Sequence, residues 1–195
     1  MKTRLLFFAM LITTSVTYCQ MHEHGTIELI PNIGYSGSDL YGDDVDFFDP
    51  RGGIQFGLVG DYYFNDRWSL RSGLSYFSMG AEEDGFELKL DYLNIPLNAN
   101  WHFGKTRRWN LNFGLTPGFL LTAEFDGEDI KEGFESFQLA FSYGIGYKIG
   151  ISEKFSLLID IQALIGLTNI IDDLDDFSVT NSGSSFNVGG VFVLD

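Results

Sequence analysis

Between Phe137 and Ile149, the large residues Phe137, Leu139, Phe141, Tyr143, Ile145, Tyr147 and Ile149 alternate strictly with Gln138, Ala140, Ser142, Gly144, Gly146 and Lys148. A helix would scatter both sets around its circumference. Only an extended strand, whose side chains point to opposite faces in turn, sorts them. The same sorting recurs along the chain and predicts strands near Thr26–Ser36, Ile54–Asn65, Trp68–Tyr76, Tyr92–Phe103, Trp109–Phe119, Phe137–Ile149, Phe155–Leu167 and Ser185–Leu194. The first and last are the weakest of these eight.

The composition of the two faces decides where the apolar side points. A soluble sandwich or lipocalin-like barrel hides its apolar face and coats the other with Lys, Glu and Asp. Here the second face is Gly, Asn, Ser, Gln and Thr, a choice that suits a crowded, hydrated lumen. The chain is 45% hydrophobic and 20% charged, which excludes disorder. After the first twenty residues it has no run of ~20 apolar residues that could cross a membrane as a helix. The expected fold is therefore all-β: an eight-stranded antiparallel up-and-down transmembrane β-barrel, its greasy face toward lipid.

The connections suggest an orientation. Long links, around Gly37–Arg51, Gly80–Lys89, Asp126–Gly133 and Asn169–Gly183, alternate with tight ones around Asn65–Arg67, Gly104–Arg108 and Ile151–Glu153. In outer-membrane barrels the short turns are periplasmic and the long loops are outside. Trp68, Trp101 and Trp109 all sit beside short turns, and with Phe64, Phe103, Tyr147 and Phe155 they predict one aromatic girdle at that interface. Acid gathers in the long links (Asp39, Asp43, Asp44, Asp46, Asp49; Asp172, Asp173, Asp175, Asp176), and base near the turns (Arg67, Lys105, Arg107, Arg108, Lys154).

The N-terminus has the layout of a secretory signal: basic Lys2 and Arg4, an apolar Leu5–Ile12, then a polar, small-residue approach to Gln20. Cleavage is expected after Cys19, leaving a barrel domain over residues 20–195 without cysteine; lipidation of Cys19 is the rival reading. Loss of Lys2 and Arg4 takes the net charge from −15 to −17. That sign argues against a nucleic-acid partner.

Four stretches carry a resemblance: Tyr92-Leu93-Asn94-Ile95-Pro96-Leu97, Gly114-Leu115-Thr116-Pro117-Gly118, Gly144-Ile145-Gly146-Tyr147 and Gly166-Leu167-Thr168-Asn169. With them the chain resembles the PorT-like outer-membrane β-barrel family of Bacteroidetes-type bacteria. That resemblance implies an outer-membrane location in a Gram-negative envelope. It also implies, through the founding member, possible company with a protein secretion apparatus.

Candidate chemistry is sparse. An eight-stranded barrel leaves room inside for side chains only, and the inward face carries Glu28, Asp61, Arg71, His102, Glu124, Lys148 and Asp160. A three-residue turn pairing Phe64 with Trp68 sets Asp61 opposite Arg71, so an internal network of ion pairs is expected; a gated or proton-conducting path is the sharper alternative. The acid-rich links offer oxygen ligands to Ca2+ or Mg2+, but Asp126-Gly127-Glu128-Asp129 does not continue as an EF-hand loop. His22 and His24 lie in the N-terminal tail and His102 beside a short turn, leaving no base for a nucleophile at the long-loop rim. No catalytic residue, cofactor or metal centre is expected. The expected role is a structural or interaction barrel partnered by outer-membrane lipid and by envelope or secretion proteins, with a narrow transport or ligand-binding barrel as the alternative.

Overall fold

The computed structural model describes residues 23–42, 45, 48–83, 85–171 and 178–194. The strands are β1 (Ile27–Gly42), β2 (Asp49–Tyr63), β3 (Trp68–Glu83), β4 (Phe86–Asn94), β5 (Leu97–Phe103), β6 (Trp109–Phe125), the short β7 (Glu128–Asp129), β8 (Phe137–Gly150), β9 (Phe155–Gly166) and β10 (Val179–Leu194). Neighbours pair antiparallel, and β1 pairs with both β2 and β10, so the sheet closes on itself. β4 and β5 form one stave interrupted at Ile95–Pro96, because a proline has no N–H to give a ladder. Eight staves make the ring, in up-and-down order. Among the described residues no helix is long and apolar enough to cross a membrane.

The register fixes the tilt. Ile27 lies opposite Tyr62, which faces Leu70, then Ala99, Phe113, Tyr143, Ala163, Ser184 and finally Gly37. One circuit thus returns to β1 ten residues above its start. With ~3.3 Å per residue and ~4.8 Å between strands, that shear inclines the strands by about 40°.

The strands run further than the sequence pattern suggests. β1 extends to Gly42 and β10 begins at Val179, so the first and last staves are among the longest rather than the weakest. The expected long link Gly80–Lys89 is instead mostly paired, with Glu83 opposite Phe86. Asp126 and Gly127, both at positive φ, make the tight turn into β7. Only β8 and β9 stop early. The space above them is filled by the 3-10 turn Lys131–Gly133 and by a bridge between Phe134 and Ile171.

These extensions change the cross-section. In the lower part, near the short turns, side chains facing out are apolar and exposed: Ile33 at 64% and Tyr35 at 69% on β1, Leu58 and Phe56 on β2, Leu70 and Leu74 on β3. Higher up the pattern inverts. Beyond Tyr76 the outward positions of β3 become Ser78, Gly80 and Glu82, and its inward ones change from Ser69, Arg71 and Ser75 to Phe77, Met79 and Ala81. Beyond Leu93 the outward positions of β4 become Asp91, Lys89 and Glu87, while Tyr92, Leu90 and Leu88 point inward. On β10 the outward face passes from Phe186 to Ser184, Ser182 and Thr180. The expectation of a small, polar lumen throughout is thereby corrected: the upper third is filled by an apolar core of Leu40, Phe77, Met79, Leu90, Tyr92, Leu120, Ile170 and Val179, among others.

The outward apolar run from Phe64, just past the end of β2, back to Ile54 covers ten residue steps. At a tilt of about 40° that is about 25 Å of height, the thickness of the lipid-facing band in barrels of this kind.

Candidate functional site

The lower lumen holds a polar network whose members come from six staves. Asp61 stands directly opposite Arg71 in the β2–β3 register and receives two bonds from its guanidinium, at 2.8 and 2.9 Å. Asn100 adds a third at 3.0 Å. Glu28, opposite Asp61 on β1, is paired with Lys148 and accepts from the Tyr63 hydroxyl at 3.0 Å. The Lys148 ammonium also donates to that hydroxyl at 2.8 Å and lies 3.9 Å from Asp61. Asp160 on β9 is 3.5 Å from Arg71 and accepts from Gln162 at 2.9 Å. His102 stacks on Tyr63 with ring centroids 4.7 Å apart and meets the Ser69 hydroxyl at 2.9 Å.

Of the inward residues expected from sequence, Glu28, Asp61, Arg71, His102, Lys148 and Asp160 all point into this space and are buried. Glu124 does not belong with them. A bulge opposite Asp91 and Tyr92 adds one residue to β6 at Leu121 and reverses the alternation beyond it. Glu124 therefore sits on the flank, 3.7 Å from Lys89. The same amine is 3.1 Å from Asp91, which also accepts from Ser78 at 2.7 Å and Thr122 at 3.0 Å.

Tyr63 and the amides of Asn98, Asn100, Asn110 and Asn112 were absent from the expected network, yet all are buried beside it. Asn98 donates to Asn112 at 2.9 Å and accepts from Ser142 at 2.9 Å. Their signal was present in the parity of the strands, since each alternates along its strand with outward aromatic or aliphatic residues.

Outside, the residues expected as a girdle all make ring contacts with other aromatic side chains. Trp68 faces Trp101 (6.3 Å between ring centroids), Trp101 stacks on Phe103 (5.0 Å), Phe103 on Trp109 (6.2 Å) and Trp109 against Tyr147 (4.8 Å). Phe64 packs against Tyr62, and Phe155 against Phe192. A second set of aromatic pairs lies near the upper edge of the apolar band: Phe56 with Tyr76, Phe119 with Phe137, and Phe141 with Tyr143. The acidic positions Asp43, Asp44, Asp46, Asp172, Asp173, Asp175 and Asp176 lie outside the described residues, as do His22 and Cys19; His24 packs edge-on against Tyr62.

A closed antiparallel ring with an apolar coat, aromatic borders and a hydrogen-bonded lumen is a transmembrane β-barrel. The family model described as outer membrane protein beta-barrel domain matches residues 20–172, and the chain belongs to that family. No curated protein matches it in sequence. Among solved structures it is similar to outer membrane protein AlkL in DMPC bilayers, with 11% identity, 89% of this chain and 92% of that chain covered, and a TM-score of 0.53. It is also similar to Neisserial surface protein A, with 12% identity, coverage of 84% and 96%, and a TM-score of 0.51. Ail, the attachment invasion locus protein of Yersinia pestis, is 18% identical over 89% of this chain and all of that one, with a TM-score of 0.48. At such identities the likeness concerns the fold.

Proposed function

We propose that this outer-membrane barrel is a non-enzymatic structural or interaction protein whose working surface is the end projecting beyond the lipid band. The observation that carries this reading is the inversion of polarity along the axis. An apolar core built around Met79, Leu90 and Tyr92 seals the lumen at the end where a channel would open, and the buried ion pairs fill the other end. The projecting wall carries a polar chain from exposed Glu87 through the buried Arg51, Ser78 and Asp91 to half-buried Lys89. Its accessible ends suit water and partners rather than lipid.

On this reading residues 1–19 are an export signal cleaved after Cys19, and the family match beginning at residue 20 is in keeping with it. The projecting end faces outward and the short turns face the periplasm. The partner class is an envelope protein, with the PorT-like motifs pointing toward a secretion assembly; divalent cations at the acidic links are a further proposed partner. Cysteine substituted at Glu82 or Thr180 is expected to react with an impermeant maleimide on intact cells, and cysteine at Lys105 only after the envelope is opened. The purified barrel in planar bilayers is expected to show no steady conductance. Sustained single-channel currents would remove the interaction reading in favour of transport.

A further inference from the structure

Between the lower ion pairs and the upper apolar core lies a chamber of about 70 Å3, room for roughly five waters. Four side-chain oxygens in its wall have no hydrogen-bond partner: Oδ1 of Asp160, Asn187, Asn32 and Asn94. The first three sit on three adjacent staves, and Asn94 lies on β4. Asn187 is directly opposite Asp160 in the β9–β10 register, and Asn32 on β1 is diagonal to Asn187, which itself faces Gly34. Asn187 donates to Ser185 at 3.0 Å, Asn32 donates to the Ile30 carbonyl at 3.3 Å, and Gln162 donates to the other oxygen of Asp160 at 2.9 Å. Each asparagine thus has one amide hydrogen engaged and its acceptor oxygen unpaired.

The charges around the chamber do not balance. Among the described residues, three buried lumenal carboxylates (Glu28, Asp61 and Asp160) meet two buried cations (Arg71 and Lys148). Arg71 is held two-pronged by Asp61, and Lys148 is paired with Glu28. Asp160, only 6% exposed, is left with the outlying Arg71 nitrogen at 3.5 Å. A buried carboxylate short of a counter-charge is costly unless something supplies it. We infer that the chamber binds a monovalent alkali cation, Na+ or K+, ligated by Asp160, Asn187 and Asn32 and completed by trapped water. A single carboxylate with two neutral amide oxygens suits a singly charged hard ion better than Ca2+, which gathers several carboxylates.

The test uses the full barrel in phospholipid vesicles, comparing NaCl and KCl with choline chloride at equal ionic strength. An alkali salt near saturation is expected to raise Tm by about 4 °C over choline. Asp160→Asn, which keeps the shape and removes the charge, is expected to abolish that difference. 23Na relaxation reads binding without reference to stability, and excess broadening is expected for the wild-type barrel. Asn32→Ala, outside the ion pairs, is expected to move the Na+ midpoint about tenfold higher. Equal Tm in choline and alkali salts overturns the site, as does a sodium response that survives Asp160→Asn. Should that variant fail to fold, an unchanged midpoint in Asn32→Ala overturns it. A Tm that responds to no alkali cation at any pH tested also overturns it.

Discussion

Two halves of one barrel solve the burial problem in opposite ways. Below the level of Tyr35 and Tyr76 the solvent is hydrocarbon, so Leu58, Leu74 and Ile161 face out while Asn98, Asp61 and Arg71 face in. Above it the solvent is water, so Glu82, Lys89 and Ser182 face out and Met79, Leu90 and Val179 form an ordinary dry core. The same strands pass through both regions without a break in β3 or β10. Period-two alternation sets which residues share a face; the surroundings set which face is greasy.

Substitutions that treat the halves alike should therefore have unlike effects. The largest is expected at the base of the lumen. Arg71→Met leaves Asp61 buried without its partner and should cost about 3–5 kcal/mol, read from urea unfolding in vesicles by gel mobility. Leu90→Ala opens a void in the upper core and should cost about 2–5 kcal/mol in the same assay. A loss there near zero would mean that the upper lumen is wet. Leu58→Arg places a charge against hydrocarbon and should cost about 2–4 kcal/mol, whereas Ser182→Arg, on the neighbouring wall but above the band, should cost less than about 0.5 kcal/mol. Equal costs for that pair would erase the boundary. Trp101→Ala, at the lower aromatic border, is expected to lose only about 1 kcal/mol, visible as a small shift of the urea midpoint.

The sequence made the lower half legible because there the alternation is long and one-sided: seven large apolar residues against six small or polar ones in Phe137–Ile149. The turn between Phe64 and Trp68 even set Asp61 against Arg71, as the register has it. The upper half was harder to read. Ser78, Gly80 and Glu82 beside Phe77, Met79 and Ala81 also alternate, but with the apolar residues on the face that is polar lower down. A reader holding one phase takes that switch for the end of the strand. The bulge at Leu121 hides similarly, since one inserted residue moves Glu124 from the lumen to the flank. The unpartnered oxygens of Asn32, Asn187 and Asp160 emerge only when three strands distant in sequence are laid side by side.

Depth-dependent quenching along β3 and β10 addresses the polarity switch most directly. Single cysteines at Leu74, Tyr76 and Glu82, and at Val188, Phe186, Ser184 and Ser182, would carry a fluorophore in a Cys19→Ser background. Lipid-tail nitroxides should quench the probes up to Tyr76 and Phe186, and an aqueous quencher should take over at Glu82 and from Ser184 upward. Lipid-tail quenching that persists through Glu82 and Ser182, or is missing at Leu74 and Val188, would contradict the account.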